Sequence, residues 1–186
     1  MLKKIVLSFF LLFISSKPLY SAIEEKIINN FSKINNLNFD FKQTIGEKTE
    51  EGNCTIEYPK KIFCLYNNQN KKIMVSNGRS LAIKNQASNQ YYLYPLKKTP
   101  LNLLLDKNFL IDKIKNLNSR IIDNKYINFT IKNNNNEINI FFDKKTLNLI
   151  GWQTEDIYQN LTIFFISNIK INEKIDKKIF TLPKLN

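Results

Sequence analysis

Residues 23–42 read Ile-Glu-Glu-Lys-Ile-Ile-Asn-Asn-Phe-Ser-Lys-Ile-Asn-Asn-Leu-Asn-Phe-Asp-Phe-Lys. In the first part of this stretch apolar residues recur at helical spacing, which predicts an amphipathic helix over residues 23–35. From Leu37 the period changes to two, because Leu37, Phe39 and Phe41 alternate with polar residues. That alternation is typical of a half-buried strand. This stretch therefore predicts one surface helix followed by β-structure.

Most of the remaining chain shows short apolar segments separated by polar turns. Asn77-Gly78 predicts a tight hairpin turn, because this pair tolerates positive φ, and polar turns are also expected at residues 46–51 and 133–136. Successive strands with short turns favour an antiparallel meander over a parallel α/β sheet. Expected strands cover residues 91–96, 120–123, 125–132, 137–142, 146–155 and 159–171, the last with Leu161, Ile163 and Phe165 or its neighbour facing inward.

The N-terminal segment has the three parts of a secretory signal. Residues 1–21 begin with basic residues, continue with an apolar run over residues 5–14 and end polar. The apolar run is about half the length that a bilayer span requires. We therefore expect a signal peptide over residues 1–21, cleaved before Ala22, and one exported, soluble domain over residues 22–186.

Two cysteines flank a hairpin that is expected to turn near Pro59. With that turn, Cys54 faces Cys64 across an antiparallel pair, where Cβ atoms lie about 4.5–5.5 Å apart, close to disulfide reach. Export to an oxidising compartment permits the bond. A disulfide is expected, and the alternative is a pair of buried free thiols.

The composition argues against most kinds of enzyme. The chain has no histidine, the commonest general base and metal ligand. It has only 4 glycines and lacks both glycine-rich phosphate-binding motifs. No grouping of acidic and nucleophilic residues suggests catalysis. We therefore expect a protein that is not an enzyme and that needs no cofactor or metal.

The formal charge of +12 invites a nucleic-acid interpretation. Residues 1–21 hold 3 of the lysines and no acid, so the chain from residue 22 carries +9 (12 minus 3). The other lysines are scattered, and a charged fraction of 24% is average, so no nucleic-acid partner is expected. A solvated basic surface accounts for the charge, with attraction to anionic lipid or an acidic partner as the alternative.

A leucine-rich segment follows the strand that is expected at residues 91–96. Thr99-Pro100 predicts a helix start, with threonine as the cap and proline in the first turn. Residues 101–105 contain four leucines, which cover nearly all sides of a helix. The segment is either a buried core helix or a lid that packs over a cavity. A second helical piece is expected around residues 109–117.

Several short motifs occur in a characteristic order along the chain. The first is residues 35–44, which contain Phe41-Lys42-Gln43 as F-x-Q, and the second is Glu51-Gly52 followed by Tyr58-Pro59 and Ile62. The third is residues 75–79, and the fourth is residues 94–96 continuing to 99–101. The last consists of residues 168–170, Asp176 and residues 180–183. At this spacing and behind a signal peptide, the chain resembles the periplasmic outer-membrane lipoprotein carrier family (LolA) over essentially the whole mature length.

The resemblance implies a half-open β-barrel closed by a helical lid. It also implies that acylated lipoproteins are received from an inner-membrane ABC transporter complex and carried across the periplasm towards an outer-membrane acceptor. A 16-carbon acyl chain left in water costs about 12 kcal/mol at roughly 0.8 kcal/mol per methylene. Such cargo needs an apolar shelter and a lid that exchanges its own contacts for cargo contacts.

One position departs from the family pattern. Members often have an arginine just before the hairpin proline, which holds the lid through hydrogen bonds to its backbone, and here that residue is Tyr58. The tyrosine hydroxyl could bond a lid carbonyl, although as a neutral group on a stiffer side chain. The alternative is an aromatic ring that lines the cavity.

The sequence thus predicts a mainly β (α+β) fold, a single half-open antiparallel β-barrel. An N-terminal amphipathic helix and a short leucine-rich helical lid should cover its concave face. The expected function is that of a monomeric periplasmic carrier of lipoprotein acyl chains. The alternatives are a β-sheet interaction module with a filled interior and a carrier of another apolar cargo such as a glycolipid. The residues expected to line the cavity or form the lid are Phe39, Phe41, Ile56, Tyr58, Ile62, Leu101, Leu104 and Leu105.

Overall fold

A computed structural model describes residues 22–69, 71–133, 136–156 and 158–184. The expected signal peptide and the centre of the turn expected at 133–136 lie outside these residues. The helices are α1 (Ala22–Ser32), α2 (Leu101–Leu104) and α3 (Lys107–Ile114). Strands β1 to β11 cover Asn36–Ile45, Lys48–Glu57, Lys61–Tyr66, Lys72–Asn77, Ser80–Asn85, Tyr91–Pro95, Arg120–Ile122, Tyr126–Asn133, Asn136–Asp143, Leu149–Glu155 and Leu161–Ile171. Short 3-10 helices occupy Leu96–Lys98 and Lys177–Phe180.

The described strands form one 11-stranded antiparallel sheet. Its order is β6-β5-β4-β3-β2-β1-β11-β10-β9-β8-β7. Strands that follow one another in the chain pair, except β6 and β7, and β1 also pairs with β11, which joins the first and second halves of the chain. The predicted antiparallel meander is confirmed. The outermost strands, β6 and β7, each pair with one neighbour, so the sheet is not closed.

One face of the sheet packs on the helices around a continuous apolar core. Phe39 of β1 and Phe129 of β8 are fully buried in it. Ile27 and Phe31 of α1 pack into the same core, and Ile114 of α3 lies beside them. α1 ends at Ser32, earlier than the predicted boundary at residue 35, because the chain then turns to enter β1.

The β2–β3 hairpin has the register that its sequence suggests. Cys54 lies opposite Cys64, and Ile56 lies opposite Ile62. The two cysteine sulfur atoms are bonded at 1.97 Å. The peptide bond between Tyr58 and Pro59 in the turn is cis.

The β4–β5 turn differs by one residue from the expected one. The loop residues are Gly78 and Arg79, because Asn77 is still in the strand. Gly78 takes the positive φ of 97°. The Asn77 side chain instead accepts hydrogen bonds from the backbone N–H groups of Arg79 and Ser80, both at 3.0 Å.

Three other predicted boundaries need correction. The turn expected over 46–51 is shorter, because β2 already begins at Lys48, and β10 begins at Leu149 rather than at residue 146. Thr99 does not cap α2. The cap position is Pro100, and the Thr99 hydroxyl donates to the carbonyl of Leu96 at 2.8 Å, which completes the preceding 3-10 turn.

The orientation of β11 is opposite to part of the prediction. Phe164 and the residues two before and after it are buried, whereas Leu161, Ile163 and Phe165 are 54%, 38% and 49% exposed. The inward assignment of Leu161 and Ile163 is therefore wrong, and it is Phe165's neighbour that faces the core. Pairing with β1 determines this, since Gln43 lies opposite Phe164 and a one-residue slip would invert every side chain.

Candidate functional site

A cavity of about 270 Å³ lies between the sheet and α2. Ile83 of β5 and Trp152 of β10 both line it, although these strands are six steps apart in the sheet order. In a flat sheet they would be about 29 Å apart at roughly 4.8 Å per strand. The sheet therefore curves around the cavity, and its strands supply opposite walls.

Stacked aromatic rings form the floor of this cavity and the layer beneath it. The indole of Trp152 stacks on the ring of Phe164 with centroids 4.4 Å apart and 7° between planes. Phe164 stacks in turn on Phe41, at 4.8 Å, and Phe41 meets Tyr66 edge to face, at 4.9 Å. Flat rings packed in this way give a rigid, apolar surface.

The structure separates the eight residues predicted for the cavity and lid into three groups. Those lining the main cavity are Ile62, Leu101 and Leu104. A second space of only about 10 Å³ is lined by Ile56, Tyr58 and Leu105. Leu101 and Leu104 line this space as well. Phe39 and Phe41 line neither space and lie beneath them in the packed core, 0% and 4% exposed.

α2 is the element that divides the two spaces. Leu101 and Leu104 contact both of them. Leu104 and Leu105 are buried, and Leu103 packs against the same core from a half-buried position. The leucines of this short helix thus touch protein or cavity on several sides, as their spacing suggested.

The β2–β3 hairpin is tied to the end of α2 by the residue after Pro59. The backbone N–H of Lys60 donates to the carbonyl of Leu105 at 2.8 Å. The Lys60 ammonium lies 3.5 Å from the carboxylate of Asp106, which also caps α3 by accepting from the N–H of Phe109. The junction between α2 and α3 is therefore anchored to the sheet.

Tyr58 contributes its ring to this region. The ring meets Phe31 of α1 edge to face at 5.9 Å, and the ammonium of Lys107 lies 5.9 Å from its centroid. Burial raises the pKa of the Tyr58 hydroxyl, which keeps it neutral. Lys107 also donates to the carbonyls of Ser32 and Ile34 at 2.8 and 2.6 Å, so α3 begins against the end of α1.

The part of the cavity wall that β2 and β4 form carries a charged pair. The Glu50 carboxylate is hydrogen-bonded to the ammonium of Lys72 and lies 3.2 Å from that of Lys48. Burial opposes the charge of Glu50, but the hydrogen bonds from Lys72 and Lys48 hold the pKa of its carboxyl below the ordinary value. The Glu50 carboxyl is therefore ionised at neutral pH.

Polar groups beside this pair also face the cavity. The Tyr66 hydroxyl donates to Gln43 Oε1 at 3.0 Å, and the Lys72 ammonium lies 3.7 Å from the centroid of the Tyr66 ring. The hydroxyl of Thr162, buried in the adjoining wall, has no hydrogen-bond partner among the described residues. This end of the cavity can thus hydrogen-bond a polar atom of a ligand.

Replacing Glu50 by glutamine is expected to remove an acid-sensitive part of the stability. The pKa of Glu50 in the folded protein lies below the reference value of 4.5. Its ionised form therefore stabilises the fold above the reference pKa, and this contribution is lost as the pH falls through the lower folded pKa. The urea midpoint of the unmodified protein should fall between about pH 5 and pH 3 more steeply than that of Glu50→Gln.

Glu51→Gln is the matched control for this measurement, because the Glu51 carboxylate, one residue along β2, is 60% exposed. Its pH profile should follow that of the unmodified protein. Identical profiles for Glu50→Gln and the unmodified protein would show that the Glu50–Lys72 pair adds nothing to acid stability.

Several cavity residues were not among those predicted from the sequence. Trp152 was expected only as a core or lining residue, and it lines both spaces. Strands β3 to β6 supply another part of the wall. Its apolar and aromatic residues are Tyr66, Met74, Leu81, Ile83 and Tyr94. Alternation in β3 places Tyr66 on the same face as Ile62, so this pattern could have predicted that Tyr66 lines the cavity.

Two features are absent from the residues that the structure describes. No described helix is long and apolar enough to cross a membrane. Within the same part of the chain, no group of three histidine, cysteine, aspartate or glutamate side chains is placed to hold a metal ion.

The fold and the cavity together define a class, a mainly β protein whose open antiparallel sheet surrounds an apolar hollow. The family model for the outer membrane lipoprotein carrier protein LolA matches residues 32–183. The chain therefore belongs to the LolA family, which confirms the resemblance seen in the motifs. None of the curated proteins matches this chain.

Several solved structures are similar to this chain at low sequence identity. An uncharacterized conserved protein from Thermus thermophilus has a TM-score of 0.52 and 6% identity, with 87% of this chain and 93% of that chain covered. For MucB the TM-score is 0.51 at 10% identity, with 89% of this chain and 64% of that chain covered. A LolA superfamily protein from Nitrosomonas europaea has a TM-score of 0.41 at 10% identity, covering 86% of this chain and 97% of that chain.

Proposed function

We propose that this protein is a periplasmic carrier that shelters the acyl chains of lipoproteins and shuttles them from the inner to the outer membrane. The observation that carries the proposal is the apolar cavity between the open sheet and the leucines of α2. Membership of the LolA family supports the choice of cargo. In this proposal the protein is a monomeric binding protein, not an enzyme. It is loaded by an inner-membrane ABC transporter complex and unloaded at an outer-membrane acceptor.

In this proposal the structure is a closed form, which the modest size of the cavity supports. Ligand pockets usually measure about 300–1,000 Å³, and this one measures about 270 Å³. A long acyl chain therefore needs more room than the closed form offers. Leu101 and Leu104 separate the main cavity from the second apolar space, so displacing them would merge the two.

This geometry supports residues 101–105 as the lid. The lid is held at one end, where Lys60 bonds the carbonyl of Leu105, while Pro100 at its other end lines the cavity. Its leucines contact protein when the cavity is empty, and acyl methylenes would replace those contacts when it is full. The empty and the loaded states of the protein then differ little in free energy, as a carrier requires.

A titration with palmitic acid tests the proposal directly. Trp152, the only tryptophan in the sequence, is 5% exposed and lines both spaces. Its fluorescence should therefore shift as the fatty acid enters, and the shift should saturate at one ligand per protein. The purified protein should also release lipoproteins from spheroplasts that retain their transporter complex.

Failure of palmitic acid to change the fluorescence or to bind at all would contradict the carrier function. In that case, binding of an acidic protein that weakens steeply with salt would support the interaction module. A glycolipid that displaces palmitic acid, without release of lipoproteins from spheroplasts, would identify a different cargo on the same scaffold.

A further inference from the structure

The edge strand β6 lacks the usual protection against pairing with another chain. Its sequence, Tyr91-Tyr92-Leu93-Tyr94-Pro95, contains no charged residue, and Tyr92 and Leu93 are 48% and 53% exposed. Among the described strands it pairs only with β5. Natural sheets protect such edges with charges, prolines or very short strands, and in β6 the single proline comes at the end.

The opposite edge of the same sheet is protected. β7 is only 3 residues long and begins with Arg120, whose guanidinium bonds the side chains of Asn128 and Thr130 on β8. A strand of only 3 residues that carries a charged residue is a poor template for a further strand. Of the two edges of the sheet, therefore, only the edge that β6 forms lacks such protection.

The pairing register shows which backbone groups of β6 are free. The N–H of Leu96 donates to the carbonyl of Arg79, and the N–H of Asn85 donates to the carbonyl of Gln90, both at 2.9 Å. Hydrogen-bonded pairs alternate along an antiparallel ladder, so Tyr92 and Tyr94 face β5 with their backbone groups. The N–H and carbonyl groups of Tyr91 and Leu93 therefore point away from the sheet.

This free edge is continuous with the mouth of the cavity. Tyr94 belongs to β6 and also lines the cavity. Pro100 and Tyr158 line the cavity beside it, and Tyr158 is 73% exposed. A chain leaving the cavity beside Tyr94 reaches the free edge directly. Lys97 and Lys98 follow β6 and are exposed, so acidic residues in that chain would meet opposite charge.

We propose that the free edge of β6 binds, as an added strand, the extended peptide that follows the acylated residue of the cargo. The inference rests on the proposed function, because the acyl chain in the cavity is what brings the peptide to the edge. Added strands are held by main-chain hydrogen bonds, which tolerate different side chains. One carrier can therefore hold cargo of different sequence in the same way.

The test compares the affinities of palmitic acid and an N-palmitoylated hexapeptide, measured through Trp152. Two isomers of the peptide carry methyl groups on backbone nitrogen atoms. In one isomer the odd-numbered residues are methylated, and in the other the even-numbered residues are. Because only one edge of an added strand faces β6, one isomer should bind about tenfold more weakly than the plain peptide and the other about equally. Equal binding of both isomers and the plain peptide would overturn the inference.

A backbone change in β6 provides the second arm. Leu93→Pro removes the outward N–H of residue 93 and should reduce the affinity for the palmitoylated peptide several-fold. Its affinity for palmitic acid should stay within about twofold, which also shows that the variant is folded. Leu93→Thr, the matched control, keeps the N–H and should bind the peptide like the unmodified protein.

The outcomes separate the two proposals. No binding of palmitic acid removes the carrier function. Palmitic acid binding without any additional affinity for the peptide removes only the strand addition. A concentration-dependent dimer that Leu93→Pro abolishes, again without additional affinity for the peptide, would overturn the inference by assigning the edge to a second copy of the chain.

Discussion

Replacing Leu104 by glutamate is expected to abolish uptake of acyl cargo while the sheet stays folded. Leu104 is 6% exposed and lines both the main cavity and the smaller space behind α2. An ionised carboxylate at this position loses its hydration without gaining a partner, which costs several kcal/mol. The acyl chain would add to that cost by excluding the remaining water. A loss of about 3 kcal/mol corresponds to an affinity more than a hundredfold lower.

The same helix offers a matched control. Asn102→Glu introduces the same charge two residues earlier, at a half-buried position that lines neither space. It should bind palmitic acid within a few-fold of the unmodified protein. Titration of both variants, with circular dichroism to confirm the sheet, makes the comparison. Normal uptake by Leu104→Glu would show that residues 101–105 are not the lid.

The parts of the fold that sequence could predict depend on local rules. Pro59 marks a turn, and equal spacing on its two sides brings Cys54 opposite Cys64. The change of period at Leu37 marks the entry to β1 in the same local way. The sequence also predicted Ile62, Leu101 and Leu104 for the site, from alternation and helical spacing together with the resemblance to the LolA family.

The parts that could not be predicted depend on contacts between distant strands. Residues 161–166 have apolar side chains on both alternating sets, so only pairing with β1 shows that Phe164 faces inward. Leu81 and Ile83 line the cavity because the sheet curves over many strands, which no local pattern records. The anchor of the proposed lid was missed because it is the backbone N–H of Lys60, a group that every residue except proline has.

Phe164→Ala should give the largest loss of stability among the residues of the cavity floor. Its ring is 4% exposed and packs on the rings of Trp152, Phe41 and Phe39. Truncating a buried phenylalanine to alanine removes its transfer free energy and leaves a cavity, at a total cost of about 3–5 kcal/mol. Urea denaturation should show this decrease, and the emission of Trp152 should change because its stacking partner is lost.

The next residue along β11 makes the comparison decisive. Phe165 is 49% exposed on the outer face, and Phe165→Ala carries the same change in composition and the same loss of β-propensity. Because it removes no core contacts, it should cost about 1 kcal/mol or less. The difference between the two variants therefore measures the packing of Phe164 alone. Equal losses of stability would contradict the orientation of β11 and, with it, the aromatic floor on which the acyl chain is proposed to lie.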